Sequence, residues 1–529
     1  MRSLTERTAR RIEIAITVVL TSALVFLHFV VLTNAGTLWR DEISSLSLAT
    51  KPSWQSFWST LVFDPFPVLF FLLLRLWSAL GAHNDFELRL LGVMIGCAIV
   101  FALWVSARLL KRATPFIAFV LIGFNPVLIF WGDTLRPYGL GVVWIIFTFA
   151  CFWRLLERPN LRWFMLAALL ATAAVQTLFT NSLLVFACGV SAAGIAAIRK
   201  DWRAAAMIIA AGCIAACSLV IYLPIINATH EWSIIRKAPF PLLFHLQQAR
   251  DALAGWGTFS FRLWLLIIAL CICVTAIAYH KAQEHRALAL YGLATSAIAA
   301  LATFCFFSAI SWPTHVWYYL PLLTVCALAL FIALDVHLRA ASLVLLVVVA
   351  GCTCLGLAAP TIIDRSRLRA SNVDEVAQVV DAEEHPGDFI VIDDFTYAIT
   401  FSRYYHGRNS WMSVPPLRDL SLHNWGEVMR QMQTPDAMRP LLDQVQKALT
   451  TGHRVWLITG SVRPFPASAP EAVPPFDPHT PRSLGFYLHS WSEQLRYELR
   501  RDAKTITTVQ LKADQPISRY EEPRVVVFE

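Results

Sequence analysis

Charge is scarce in this chain. Only 15% of its 529 residues are Asp, Glu, Lys or Arg, and 57% are hydrophobic, whereas a water-soluble domain carries about 25% charged residues. A wholly soluble protein is therefore excluded. A glycine-rich phosphate loop is also missing, which argues against nucleotide binding. There is no basic stripe with interleaved aromatics of the kind nucleic acid requires, and the formal charge of +8 is what retained cytoplasmic Lys and Arg would leave. Cysteine is absent from the last 169 residues. The eleven present, from Cys97 to Cys354, all lie in apolar runs, so they read as small hydrophobic side chains and not as a disulfide framework or a thiolate metal site. His280, His285 and His337 lack metal-ligand spacing. No internal repeat of fixed period is visible.

What is abundant is long apolar sequence. Stretches of about 16–24 residues with little or no charge read as membrane helices. We place them at 12–33, 88–107, 115–131, 137–153, 163–180, 183–198, 204–226, 261–279, 287–310, 315–334 and 340–360. The first is followed by acids and not by a small-residue cleavage site, so it reads as a retained helix. A further run, 66–80, is short and carries Arg75. Basic residues alternate between loops. Arg108, Lys111, Arg112, Arg154, Arg158, Arg162, Arg199, Lys200, Arg203, Lys281, Arg286 and Arg339 fall on one side; Arg136, Arg236, Lys237 and Arg250 fall on the other. Positive charge marks the cytoplasmic side. The pattern is consistent if 66–80 does not cross, which gives eleven spans; about 11–12 is the range. The loop 34–65, the loop 227–260 and everything after 360 then lie outside.

Residues 361–529 have a different composition, polar and charged with both signs. Phe389–Ile392 and Val455–Thr459 follow turn signals and read as buried strands. Leu417–Met432 and Met438–Leu449 read as helices; Thr505–Leu511 and Arg524–Phe528 read as late strands. Loop 462–482 is proline-rich and irregular. These features predict a small soluble α/β domain with a partly parallel sheet, and hence two domains, 1–360 and 361–529.

Candidate chemistry gathers at the outer face. Asp41 and Glu42 directly follow the first span. A carboxylate there suits a general base for an incoming hydroxyl or amine, although Asp41 also suits a helix cap. Arg40 has the geometry to meet a phosphate. Asp64 precedes Pro65-Phe66-Pro67, where a helix entry or a second site acid are both open. Arg136 lies in the short outer loop Asp133–Tyr138, as a phosphate contact or as a snorkelling side chain. His315 sits in the aromatic loop Trp312–Tyr319, a belt residue or a substrate contact. Arg236 and Lys237 lie in the loop 227–260, which is long enough to cover a substrate or to form an interfacial helix. Asp393-Asp394 reads as a structural pair at a strand end.

The order of these segments resembles the GT-C glycosyltransferases, in the bacterial branch related to protein O-mannosyltransferases and aminoarabinose lipid A transferases. The matching text is Asp41-Glu42, Asp64-Pro65-Phe66-Pro67, Leu74-Arg75-Leu76-Trp77, Glu87–Gly96, Asp133–Tyr138 and Trp317–Pro321. The likeness covers roughly 1–360. Three positions depart from the pattern: the family's common His is Phe66, the acid of its outer-helix motif is Thr134, and the Arg of its late motif is Trp317. The resemblance implies a polytopic α-helical GT-C membrane protein of the bacterial inner membrane, with active site and C-terminal domain extracytoplasmic. It further implies inverting transfer of a sugar from a polyprenyl-phosphate donor to a lipid, polysaccharide or protein acceptor. Asp41 would be the base. Glu42 and Asp64 would orient substrates or hold a divalent cation. Arg40, Arg136, Arg236 and Lys237 would balance the departing phosphate, with Tyr138 and His315 lining the substrate pocket. Two other readings stand beside it, a lipid or solute transporter and a catalytically degenerate scaffold.

Overall fold

Three helices in the apolar part start where a polar side chain satisfies a first-turn backbone N–H group. Asn84 caps Asp85–Leu109 in a capping box with Glu87, Asn160 caps Leu161–Val175, and Asp201 caps Trp202–Cys217. In lipid every backbone polar group must be paired within the segment, so uninterrupted helix is the available solution. The computed structural model describes residues 4–236, 240–255, 257, 260–269, 283–337, 341–461, 463–479, 482–511 and 515–529. Among the described residues, eight helices are long and apolar enough to cross a membrane: Thr5–Asn34, Asp85–Leu109, Pro137–Glu157, Asn181–Ile198, Trp202–Arg236, Ala287–Ile310, Val316–Asp335 and Ala341–Ser366. The protein is thus a multi-pass membrane protein.

The other expected spans differ in instructive ways. Segment 115–131 is not one helix. It divides into Phe116–Ala118, a π-helical turn Phe119–Gly123 and the helix Pro126–Gly132. The break falls at Asn125-Pro126, where proline has no N–H to continue the ladder and the Asn125 side chain accepts from Val127 N instead. Segment 163–180 yields only the 15-residue helix Leu161–Val175, and the part of 261–279 beyond Ala269 lies outside the described residues. Segment 66–80 is the helix Val68–Ala79. At about 1.5 Å per residue it is about 18 Å long, short of the roughly 30 Å hydrocarbon core.

The chain divides into two compact units. One contains Met1–Thr33, Phe66–Leu223 and Pro239–Ser366; the other contains Asn34–Pro65, Pro224–Ala238 and Arg367–Glu529. The boundary therefore differs from the simple division at 360 that the composition suggests: the 34–65 loop and the first third of the 227–260 loop fold with the C-terminal region. The reason is hydrogen bonding. Ala370 N donates to Ala35 O, Gln515 Nε2 to Asn34 O, and Leu38 N to Tyr404 Oη.

The second unit is built on a five-stranded sheet: β1 (Phe389–Asp393), β2 (Trp411–Val414), β3 (Val455–Thr459), β4 (Ile506–Val509) and β5 (Arg524–Phe528), in the order β2-β1-β3-β5-β4. β1 runs parallel to both β2 and β3, while β5 is antiparallel to β3 and β4. Every residue of β1 and β3 is buried, as a central strand covered on both faces requires. Helices Phe395–Tyr404, Trp425–Gln433, Arg439–Thr450 and Leu484–Asp502 form the crossovers. The sequence reading missed β2 and the helices Val373–Glu383, Phe395–Tyr404 and Leu484–Asp502. The expected helix 417–432 is helical only from Trp425. The Glu427 carboxylate accepts from Arg418 N and Asp419 N, and Asn424 caps the shortened helix, so residues 418–424 are held as a loop.

Arg40 and Glu521 lock the 34–65 loop into this unit. Glu521 is fully buried; its carboxylate accepts from Arg40 N at 3.2 Å and from Thr400 Oγ1 at 2.8 Å. The Arg40 guanidinium donates to Thr396 Oγ1 at 3.0 Å. Burial pushes the Glu521 carboxyl up to about 7, against the pull of Arg40 and its hydrogen-bond donors.

Two outcomes follow. Trp456 is 1% exposed, and its indole Nε1 donates to Asp388 Oδ2; Trp456→Ala should cost about 3–5 kcal/mol, read from chemical denaturation of the full-length chain. Glu521 titrates at about 7 folded against 4.5 unperturbed, so the folded state holds the proton more tightly. Its contribution is complete below the unfolded value and lost as pH rises through about 7. Denaturation midpoints should fall across that window, and Glu521→Gln, which keeps the acceptor, should flatten the fall.

Candidate active site

In the second unit the site residues sit on the first turn of the helix Arg40–Ala49. Trp39 is its N-cap, and the Glu42 carboxylate reaches back to accept from Trp39 N at 3.2 Å. Glu42 is fully buried, with Oε2 committed to the helix start. Asp41 points elsewhere. Its side chain is 19% exposed, with Oδ1 lying 3.7 Å from His423 Nε2 and 3.9 Å from Arg40 Nε. The adjacent acids thus divide their work: one builds the turn, and the other is presented beside two nitrogen bases.

His423 is the residue the sequence reading missed. It sits in the loop that was read as helix, and its ring stacks on Trp425 with centroids 5.5 Å apart. Trp425 in turn stacks on Trp232 at 6.0 Å, and the Arg236 guanidinium lies 4.4 Å from its centroid. Arg236 is therefore brought to the Asp41 neighbourhood through Trp425, held by a cation–π contact. Lys237 lies outside the described residues. Arg40, read as a phosphate contact, is engaged by Thr396 and surrounded by the carboxylates of Glu521, Asp41 and Asp394. Asp64 is buried and ends the short 3-10 turn Leu61–Phe63, whose Phe63 ring packs where a Cβ on Gly426 would stand, at 3.2 Å.

The first unit holds the remaining candidates. Arg136 is the N-cap of the helix Pro137–Glu157 and is 5% exposed. Its guanidinium lies 4.7 Å from the centroid of Phe66. Phe66 also meets Tyr138 edge-on at 5.9 Å, and Tyr138 stacks on Tyr318 at 5.8 Å. His315 stacks on Trp317 at 4.6 Å, with Trp131 on that indole at 4.2 Å. The departures at Phe66 and Trp317 therefore have structural content: aromatic faces stand against Arg136 and His315. Thr134, the third departure, turns its hydroxyl onto Trp131 O. Asp133 is taken by a buried pair with His28 at 2.8 Å. That approach needs bare backbone on the helix Asp85–Leu109, since a Cβ at Gly92 would lie 1.9 Å from Asp133 O and one at Gly96 2.4 Å from Asp133 Oδ1.

Among the described residues no three His, Cys, Asp or Glu side chains come together as a metal ion requires. The nine described cysteines are all unpaired thiols; Cys271 and Cys273 lie outside the described residues.

No family model matches this sequence, and no curated protein matches it either. Solved structures do. The crystal structure of ArnT from Cupriavidus metallidurans bound to undecaprenyl phosphate aligns over 96% of this chain and 97% of its own, with a TM-score of 0.54 at 13% identity. The apo form of the same protein aligns over 97% and 98%, with a TM-score of 0.53 at 12% identity. Both alignments run through the membrane helices and the sheet-bearing region alike, so this chain has the GT-C glycosyltransferase fold.

Proposed function

We propose that the protein is an integral membrane glycosyltransferase that moves a sugar from a polyprenyl-phosphate donor to an extracytoplasmic acceptor, with inversion at the anomeric carbon. The observation that carries this reading is the division between Asp41 and Glu42. On one helical turn a buried carboxylate fixes the backbone, and its neighbour is left part-exposed beside His423 and Arg40. Support for the donor class comes from the neighbour of the same fold, which was solved with undecaprenyl phosphate.

The reaction needs a base and charge balance, and little else. Asp41 takes the proton of the acceptor hydroxyl or amine as that atom forms its bond to the anomeric carbon. The bond from that carbon to the lipid phosphate breaks on the opposite face, and the electron pair leaves with the phosphate. Arg136 balances the departing charge, and Arg236 is a second guanidinium for that role. A lipid phosphate is already a good leaving group, so fixed positive charge supplies much of the rate. His423 Nε2, 3.7 Å from Asp41 Oδ1, flanks the base. Glu42 is a positioning residue, since its Oε2 holds Trp39 N. Tyr138 and His315 belong to the aromatic lining that would receive the apolar and sugar portions of the substrates. The reading places the catalytic groups and the C-terminal domain outside the cytoplasm, as the distribution of basic loops suggests.

The test is transfer from a radiolabelled polyprenyl-phosphate sugar by the purified full-length protein. Asp41→Asn should lower the rate about 10²–10⁴-fold with an unchanged melting temperature; full activity would remove Asp41 as the base. Arg136→Gln should lower kcat about 10²-fold with little change in KM. Solute transport in proteoliposomes without any sugar transfer would favour a transporter instead.

A further inference from the structure

The pair Asp393-Asp394, which the proposed reaction does not use, opens onto a cavity in the second unit. Its volume is about 400 Å³, within the range of small-molecule sites. It lies at the carboxyl ends of all three parallel strands: Asp393 ends β1, Val414 ends β2 and Thr459 ends β3. β1 has β2 on one side and β3 on the other, so successive crossovers leave it in opposite directions. In open α/β sheets the crevice outside such a switch point is where ligands bind.

The lining identifies the kind of ligand. Asp393 is 7% exposed, and its Oδ2 accepts from Thr459 Oγ1 at 2.9 Å and Ser492 Oγ at 2.8 Å. Asp394 has φ 98°, a conformation rare for a residue with a side chain, and caps the following helix by accepting from Thr396 N at 2.9 Å. Its carboxylate thus fills the helix N-terminus where a phosphate would otherwise bind, which disfavours nucleotides. Arg463 also lines the cavity, donating to His489 at 2.8 Å, and a guanidinium there disfavours a bare metal ion. Asp393, Asp394 and Glu493 are offset by Arg463 and by Arg496, which lies 4.0 Å from Glu493. Tyr397 lines the cavity while packing against the core of the unit. Gly460 makes room for its hydroxyl, because a Cβ there would come within 2.3 Å of Tyr397 Oη. Acceptors, donors, hydroxyls and one aromatic side chain, with charge nearly balanced, suit a neutral ligand dense in hydroxyl groups.

We propose that this crevice is a binding site for a short neutral saccharide of one or two residues. The inference goes beyond the transferase reading and does not depend on it, since every lining residue belongs to the second unit. Carboxylates and the guanidinium would pair with ring hydroxyls, and Tyr397 would pack against the sugar.

Saturation-transfer NMR on the full-length protein, kept in a detergent without a sugar headgroup, tests it. The probes are glucose, mannose, galactose, arabinose and N-acetylglucosamine with their common disaccharides; inorganic phosphate and Mg²⁺ serve as competitors. At least one sugar should bind with a dissociation constant in the millimolar range or tighter. Asp394→Asn, which keeps the cap and tolerates the backbone conformation, should weaken it tenfold or more with an unchanged melting temperature, and Tyr397→Ala, which also loses packing against the core, should weaken it tenfold or more at temperatures below its lowered melting point. Asp41→Asn should leave binding intact, so a failed transferase reading and a failed saccharide site give different results. Absence of any sugar signal, equal signals from wild type and both variants, or displacement of the sugar by phosphate or Mg²⁺ would overturn the proposal.

Discussion

The buried contact between the 34–65 loop and Glu521 organises the second unit. A carboxylate with no exposure is costly to charge, and here it is held by a backbone N–H, a threonine hydroxyl and the field of Arg40. The same arginine is hydrogen-bonded to Thr396, at the start of the helix that follows β1. One side chain therefore fixes the helix that bears Asp41 against the first crossover of the sheet. Position 41 is rigid because position 40 is committed. Breaking one partner of such an arrangement leaves an unpaired buried group, which is why it specifies geometry more than it adds stability.

Aromatic surfaces do the corresponding work around the basic candidates. Arg136 lies on Phe66 and Arg236 on Trp425, each within 4.7 Å of a ring centroid. A guanidinium stacked on a ring keeps its in-plane donors directed outward while its face is covered. The stacking fixes the plane of each guanidinium.

Sequence made the membrane part legible where hydrophobicity was continuous. Runs such as 88–107, with Arg89 as its one charge, and 341–360, with none, are helical because about twenty mostly apolar residues in lipid leave few alternatives. It misled where backbone chemistry intervened: Asn125-Pro126 breaks a run that hydropathy alone joins. In the C-terminal region β1 and β3 were readable as apolar bursts after turns. β2 was not, because Trp411–Val414 is only four residues long and sits on the sheet edge. The acids at 41 and 42 were visible, but not their separate roles, which depend on which one reaches Trp39 N. His423 was unreadable, since its nearness to Asp41 is created entirely by the tertiary fold.

The sequence distance between Arg40 and Glu521, 481 positions, also bears on biogenesis. Translation proceeds at about 5–20 residues per second, so the 34–65 loop is made on the order of half a minute or more before its partner carboxylate exists. Throughout that interval an acidic, aromatic-rich segment waits beside the translocation machinery without its sheet. Its helix can form early, but its lasting shape arrives only once residue 521 has been added. Assembly of this enzyme-like fold is thus gated by the far end of the message, and a ribosome that stalls before that codon leaves a membrane-inserted chain whose first loop has no home.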